Sequence, residues 1–419
     1  MGFFGRKRAP SVPHPRKEPR FDGPLTLERL EQIFQDCVDF TKRPVSLGEG
    51  GACTLTLCYL SGMVKMERVS DYVLRPLAQD EALARCGTPR QAMDRMKDGA
   101  LYNLSAEERT RLDAAVFDLV NGCCLLLFPG ESSVLSLNVG TEEKRSISSP
   151  SNETVLKGSR DAFVESLRTN TSIVRRHLKA PELRIREQVV GRQSVTSVDI
   201  LYIEGLTNPH LVEQVAAQLA DIDIDAVLAT GNIEEYIVPA ARTAFPLVQY
   251  TERSDRFCAG LAEGRVGILI DGLPLGYLAP GVLGDFLQAP QDKSESWLLA
   301  SALTLLRYLC MLGTLLLPAL YVAMVTFHQE MIPTRLALSI IAAKQDVPFR
   351  SVFEVIVLLL AFEILQEAGL RLPQSIGQTV SIIGGLVVGS AAVEAKIISP
   401  AVLIVVAIAG IAGYTMPSQ

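Results

Sequence analysis

Residues 263–280 read EGRVGILIDGLPLGYLAP. Val266, Ile268 and Ile270 alternate before an Asp-Gly pair, Asp271-Gly272, and Leu273, Leu275 and Tyr277 alternate after it, so the stretch predicts a β-hairpin. A counterpart lies far upstream. Residues 121–137, NGCCLLLFPGESSVLSL, follow the same plan of strand, glycine-containing turn and strand, with Gly122 matching Gly264 and Gly130 matching Gly272 at an offset of 142. A second matched pair sits earlier in each half. LTLCYLSGMVKMERVSDYVLRPL from Leu55 and VDILYIEGLTNPHLVEQVAAQLA from Val198 align Gly62 with Gly205 at an offset of 143. Each is a β-rich run closed by a glycine and followed by a helical pattern. Three glycines recurring at nearly one offset mark an internal duplication.

The duplication predicts an α+β soluble part made of two tandem, similar α/β lobes, with the strands before Gly62 and Gly205 equivalent and a hairpin closing each lobe. Helix starts have local signals. Asn208-Pro209 places a capping side chain before proline at the first helical position, and Ser105-Ala106-Glu107-Glu108 reads as a capping box. The polar, turn-rich stretch GTEEKRSISSPSNETVLKGSR reads as a linker. The expected domains are a basic tail at 1–23, a first lobe at 24–139, a linker at 140–160, a second lobe at 161–290 and a helical membrane domain at 291–419.

The chain has 419 residues, 48% of them apolar, and a positive mean hydropathy, more than a soluble protein needs. The excess is concentrated from Gln291 onward, a part that holds only 7 of the 40 basic and 8 of the 46 acidic residues. A net charge of −6 without a basic, aromatic-interleaved stripe argues against nucleic-acid binding. Cys37, Cys53, Cys58, Cys86, Cys123, Cys124, Cys258 and Cys310 form no C-x-x-C pair and read as buried thiols in a reducing compartment, with no disulfide. The opening MGFFGRKRAPSVPHPRKEPR carries six Lys/Arg and lacks a signal-peptide core, which places the lobes on the cytoplasmic side with a tail attracted to anionic lipid. His14, His177, His210 and His328 are scattered, and the cluster Gly48-Glu49-Gly50-Gly51 lacks the lysine of a phosphate loop. No catalytic residue, cofactor or metal site is expected, and an enzyme is the least supported class.

From Leu298 to Phe327 the chain is apolar enough and long enough to cross a bilayer. Arg307 lies inside this span and should snorkel or face protein, for instance by meeting a carboxylate on another helix. Two further apolar segments follow, Ser375 to Val393 and Pro400 to Tyr414. In the first, Gly377, Ser381, Gly385 and Gly389 recur every four residues, a stripe suited to close helix packing in lipid. Between the spans, SVFEVIVLLLAFEILQEAGLRLP has an apolar run, Val355 to Phe362, of only about 12 Å as a helix, which predicts an interfacial or re-entrant segment. Glu363 and Glu367 share one helix face and Glu354 the opposite one. With Arg307 and Glu394 these acids are candidates for a polar or ion path at membrane depth.

From about Leu55 to the end, the stretches LRTNTSIVRRHLKAPELRIREQVVGRQSVTSVDILYIEGL, IDIDAVL, EGRVGILIDGLP, LLPALYVAMVTFHQEMIPT, EAGLRLPQSIGQTVSIIGG and AAVEA resemble the A subunits of bacterial spore germinant receptors. The resemblance implies two cytoplasmic lobes and a multi-pass domain in the spore inner membrane. It implies homo-oligomers acting with a permease-like B subunit, which binds the nutrient, and a lipoprotein C subunit, in a ligand-gated ion path that starts germination. It also implies an acid at the place of Leu359 and further hydrophobic helix beyond Gln419, so that the chain is expected to be truncated. Two other readings stay open. One is the related sporulation membrane protein of the same family associated with dipicolinate release, the other a membrane-tethered module holding a small ligand between its lobes.

Overall fold

The computed structural model describes residues 21–47, 54–84, 86, 88–101, 106–140, 161–227, 235–237, 246–289, 291–292, 295–371 and 389–415. They fall into two compact units, Met1–Gly281 and Val282–Gln419. The first unit holds two five-stranded antiparallel sheets. One contains β1 (Phe40–Ser46), β2 (Thr54–Leu60), β3 (Ala106–Arg109), β4 (Cys123–Leu127) and β5 (Val134–Asn138) in the order β1-β2-β4-β5-β3. The other contains β6 (Leu183–Val190), β7 (Thr196–Ile203), β8 (Gln249–Thr251), β9 (Val266–Ile270) and β10 (Gly276–Ala279) in the order β6-β7-β9-β10-β8. The two orders correspond strand for strand. The matched glycines also share a backbone state: φ is +82° at Gly62 and +79° at Gly205, +88° at Gly122 and +89° at Gly264. A side chain strains this left-handed region, which is why glycine is the visible mark of the repeat.

Each sheet is covered on both faces. In the first lobe, α1 (Leu27–Ile33) and α2 (Leu112–Val120) cover one face; in the second, α3 (Leu167–His177), α4 (Pro209–Ala220) and α5 (Ser254–Ala262) cover two. Along β2, Leu55, Leu57 and Tyr59 join Val69, Val73, Leu77 and Met93 in one core, while Cys58 and Leu60 join Leu30, Phe34 and Leu119 in another. Along β7, Val198, Ile200 and Tyr202 pack with α4, and Leu201 with α3 and α5. The period-2 alternation of a strand thus feeds two cores at once. Asn208 caps α4 as its sequence requires, its Oδ1 accepting from the His210 amide at 3.1 Å.

The capping box at Ser105–Glu108 is not formed. Ala106–Arg109 is β3, an edge strand paired with β5, and Ser105 lies outside the described residues. Glu108 bonds Arg90 at 2.7 Å and also Lys97, and these partners hold its carboxyl down at about 2. Ion pairing and a sheet ladder from distant residues override a local capping signal.

The opening hairpin does more than turn the chain. β9 and β10 pair as expected, joined by residues 271–275. At the tip, Asp271 Oδ1 accepts from the Leu167 amide at 3.1 Å and the Gly272 amide donates to Glu165 O at 2.8 Å. The turn therefore satisfies the first amide of α3. That helix also forms the seam between the lobes. Arg175, 1% exposed, donates from Nε and Nη2 to the two Asp39 oxygens at 2.8 and 3.0 Å. Backbone pairing between Asp36–Val38 and Ile185 adds bonds of 3.0 and 3.1 Å. The lobes are built alike but used differently. A Cβ on Gly62 would meet Ser172 Oγ at 2.1 Å, whereas one on Gly205 would meet nothing within 4 Å.

The second unit contains α6 (Trp297–Thr326), α7 (Thr334–Lys344), α8 (Ser351–Arg371) and α9 (Pro400–Gly413). With 30 residues, about 45 Å, α6 is the one helix among the described residues long and apolar enough to cross a membrane. The 21 residues of α8 continue as a helix through Glu363 and Glu367, beyond the apolar run. Of the segment Ser375–Val393, only residues 389–393 are described, and they are helical.

Candidate functional site

The polar groups of the helical unit form the candidate site, and the structure sorts them into buried and exposed. Arg307 sits about three turns into α6. It makes a two-pronged ion pair with Asp292, whose second contact is 3.0 Å, and donates to Leu287 O at 3.1 Å. The arginine thus faces protein and meets a carboxylate, that of the segment leading into its own helix rather than one on another helix. Asp292 is itself fixed by the Ala289 amide at 2.9 Å. A shallow cavity of about 530 Å³ beside this pair is lined by Gln288, Ser301, Thr304 and Tyr308.

Glu354, near the start of α8, is 1% exposed. Its Oε2 accepts from the Ser399 amide at 2.8 Å, at the start of α9, and Lys344 Nζ, at the end of α7, lies 3.3 Å from Oε1. One carboxylate thus ties three helices. Glu363, Glu367 and Glu394 are exposed, so the three acids of α8 do not share an environment. Gly389 stands against α9, where a Cβ would lie 3.2 Å from Leu403 Cδ1. Gly377, Ser381 and Gly385 lie outside the described residues, as do Gly48–Gly51. Gly410, which the sequence reading passed over, packs on Phe362, and a Cβ there would lie 2.7 Å from the ring. A small residue inside an apolar helix was its available signal.

The lobes hold two polar clusters of their own. Asp199 on β7 is fully buried, accepting from Thr171 Oγ1 at 3.1 Å with Arg168 Nη1 at 3.4 Å. Burial pushes its carboxyl up to about 6 against the pull of Arg168 and Thr171. An acid inside the otherwise apolar run VDILYI was the signal for it. Ser254 Oγ lies 3.2 Å from His177 Nε2, and Asp161 is 3.6 Å from that same nitrogen. Because both partners fall on Nε2 and Ser254 Oγ donates to Asp161 O, this is no nucleophile-base-acid relay. Among the described residues no group of three His, Cys, Asp or Glu is placed to hold a metal, and the seven described cysteines are free.

Residues 28–419 match the family model described as Bacillus/Clostridium GerA spore germination protein. Similar chains include YfkQ of Bacillus subtilis, named as an uncharacterised membrane protein, 37% identical with 93% of this chain and 75% of that protein covered. Spore germination protein KA of the same organism is 37% identical over 91% of this chain and 69% of its own length. Spore germination protein GerLA of Bacillus cereus is 35% identical over 90% of this chain and 76% of its own. Among solved structures, the N-terminal domain of the A subunit of the Bacillus megaterium spore germinant receptor GerK3 is similar with a TM-score of 0.50 and 27% identity. It covers 63% of this chain and 99% of that domain.

Proposed function

Since the chain belongs to the GerA family of spore germination proteins, we propose that it is the A-type membrane subunit of a nutrient-sensing spore germinant receptor. One observation carries the reading: the family match runs without a break in its bounds through both lobes and the helical unit. In this reading the lobes are cytoplasmic and the helical unit crosses the spore inner membrane more than once. Copies assemble with one another, with a permease-like B subunit and with a lipoprotein C subunit, and contribute to an ion path that a nutrient opens. The small-residue stripe ending at Gly389 packs the helices, and Arg307, Glu354, Glu363, Glu367 and Glu394 are the polar groups available to the path. The segment that Asp292 belongs to leads directly from the second lobe. Its clamp on Arg307 would deliver a displacement of that segment to α6 three turns inside the helix rather than at its end.

The test is removal of the chain from spores of its own organism. Germination in at least one nutrient should be lost, together with early ion release, and be restored by the wild-type chain. Unchanged responses to all nutrients would overturn the reading. Slowed dipicolinate release with every nutrient alike would instead identify the related sporulation protein.

A further inference from the structure

The carboxyl of Asp199 is fully buried, and its Oδ1 makes no hydrogen bond among the described residues. Its Oδ2 lies 3.1 Å from Thr171 Oγ1, and that hydroxyl lies closer, at 2.7 Å, to Leu167 O. The hydroxyl has one hydrogen for two oxygens that, with Asp199 ionised, can only accept. A protonated Asp199 removes the conflict: it donates to Thr171 Oγ1, which donates to Leu167 O. Arg168 does not stand in for that proton. Its Nη2 is committed to Glu187 Oε2 at 2.6 Å, whereas its Nη1 is 3.4 Å from Asp199 Oδ2. A buried carboxylate with one bare oxygen and so distant a counter-charge is costly, a neutral acid much less so.

Charged groups reach this carboxyl from three sides. Arg168 faces it from α3, Glu187 stands in register beside it on β6, and Asp39 adds a second negative charge from the first lobe. The adjoining core brings apolar side chains, Phe257 and Leu261 of α5 and Leu269 of β9, and the Cys258 thiol of α5, which burial pushes up to about 12 and keeps uncharged. Burial holds the Asp199 carboxyl up at about 6, so its proton leaves near neutral pH. The groups that meet it share one face of α3 with the seam, since Arg168, Thr171, Ser172 and Arg175 are spaced three and four apart. Arg168 O and Ser172 press on Gly62 of the first lobe, and Arg175 clamps Asp39. We propose that Asp199 is a proton-binding switch that sets how α3 engages the first lobe. Protonated, it holds Thr171 and leaves Arg168 on Glu187. Ionised, it takes the Thr171 hydroxyl from Leu167 O and draws the Arg168 guanidinium off Glu187, which loosens that face of α3 against Gly62 and Asp39. Such a switch is a property of the lobes alone and holds or fails whatever the receptor role of the chain.

The test uses the full chain in detergent or nanodiscs. In infrared spectra taken between about pH 5 and pH 8, the carbonyl stretch of a protonated buried carboxyl should be lost as the pH rises, and should be missing from Asp199→Asn throughout. Hydrogen exchange of the α3 amides, corrected for the intrinsic pH dependence of exchange, should quicken severalfold at the higher pH in the wild type. In Asp199→Asn, whose neutral amide can also donate to Thr171, it should stay level. Arg168→Met removes the attracting charge and should move the transition to higher pH, whereas Glu187→Gln frees Arg168 for Asp199 and should move it to lower pH. These opposite shifts decide the matter if Asp199→Asn fails to fold. A carboxyl band that is missing at pH 5, persists at pH 8 or survives Asp199→Asn overturns the proposal. So does a band that titrates while α3 exchange stays level, or a transition that the two charge variants leave in place or move the same way.

Discussion

Asp199 shows what one residue's surroundings can do. Its folded carboxyl, pushed up to about 6 from an ordinary 3.8, holds its proton more tightly than in the unfolded chain. Its contribution to stability is therefore full below the ordinary value and is lost as pH rises through about 6. Asp199→Asn should stabilise the lobes by on the order of 2 kcal/mol above pH 7 and flatten the pH dependence between about pH 4 and 6. Arg168 would retain its 2.6 Å bond to Glu187. Urea midpoints at pH 5 and pH 8 check the prediction. The paired glycines make a second comparison at this scale. Gly205→Ala should cost about 1 kcal/mol, the strain of a side chain in the left-handed region. Gly62→Ala should cost about 1 kcal/mol more than that, since its methyl would displace Ser172 Oγ from its 2.6 Å bond to Arg168 O. Equal losses in denaturation would mean that α3 does not press on Gly62.

Among the elements, α3 does the most varied work. It accepts a cap from the hairpin of its own lobe, packs on β7 and sends Arg175 into the other lobe. Arg175→Leu would leave Asp39 buried without its partner and should cost about 3–5 kcal/mol. Arg168→Ala, whose side chain is 48% exposed, should cost about 1 kcal/mol or less. Denaturation curves for the two variants separate a seam held by one buried pair from one held by diffuse charge. In the helical unit, Gly410→Leu would drive a side chain into the Phe362 ring and should lower stability by about 1–3 kcal/mol. Leucine at Gly313, where a Cβ meets nothing within 4 Å, should be tolerated. Thermal aggregation of the purified chain in detergent reads both.

At the scale of the molecule, the two compact units predict that a chain ending at Gly281 keeps the denaturation midpoint and the pH profile of the lobes in the full protein, because its four cores lie within 21–281. A midpoint that falls when the helical unit is removed would contradict this. The duplication, both hairpins, the start of α4 and the long apolar helix α6 were legible in the sequence. Each is written in a local period, a cap or a repeated glycine, and such signals act over a few residues. Glu354, Glu363 and Glu367 share one helix and one chemistry, and nothing local told which of them is buried. The strand at Glu108, the Asp292 partner of Arg307 and the capping role of Asp271 were equally hidden. Tertiary structure decided these because burial and ion pairing join residues far apart in the chain, 45 positions from Glu354 to Ser399 and 136 from Asp39 to Arg175. The local pattern determined which elements form, and only their packing determined which charges leave water and what they meet there.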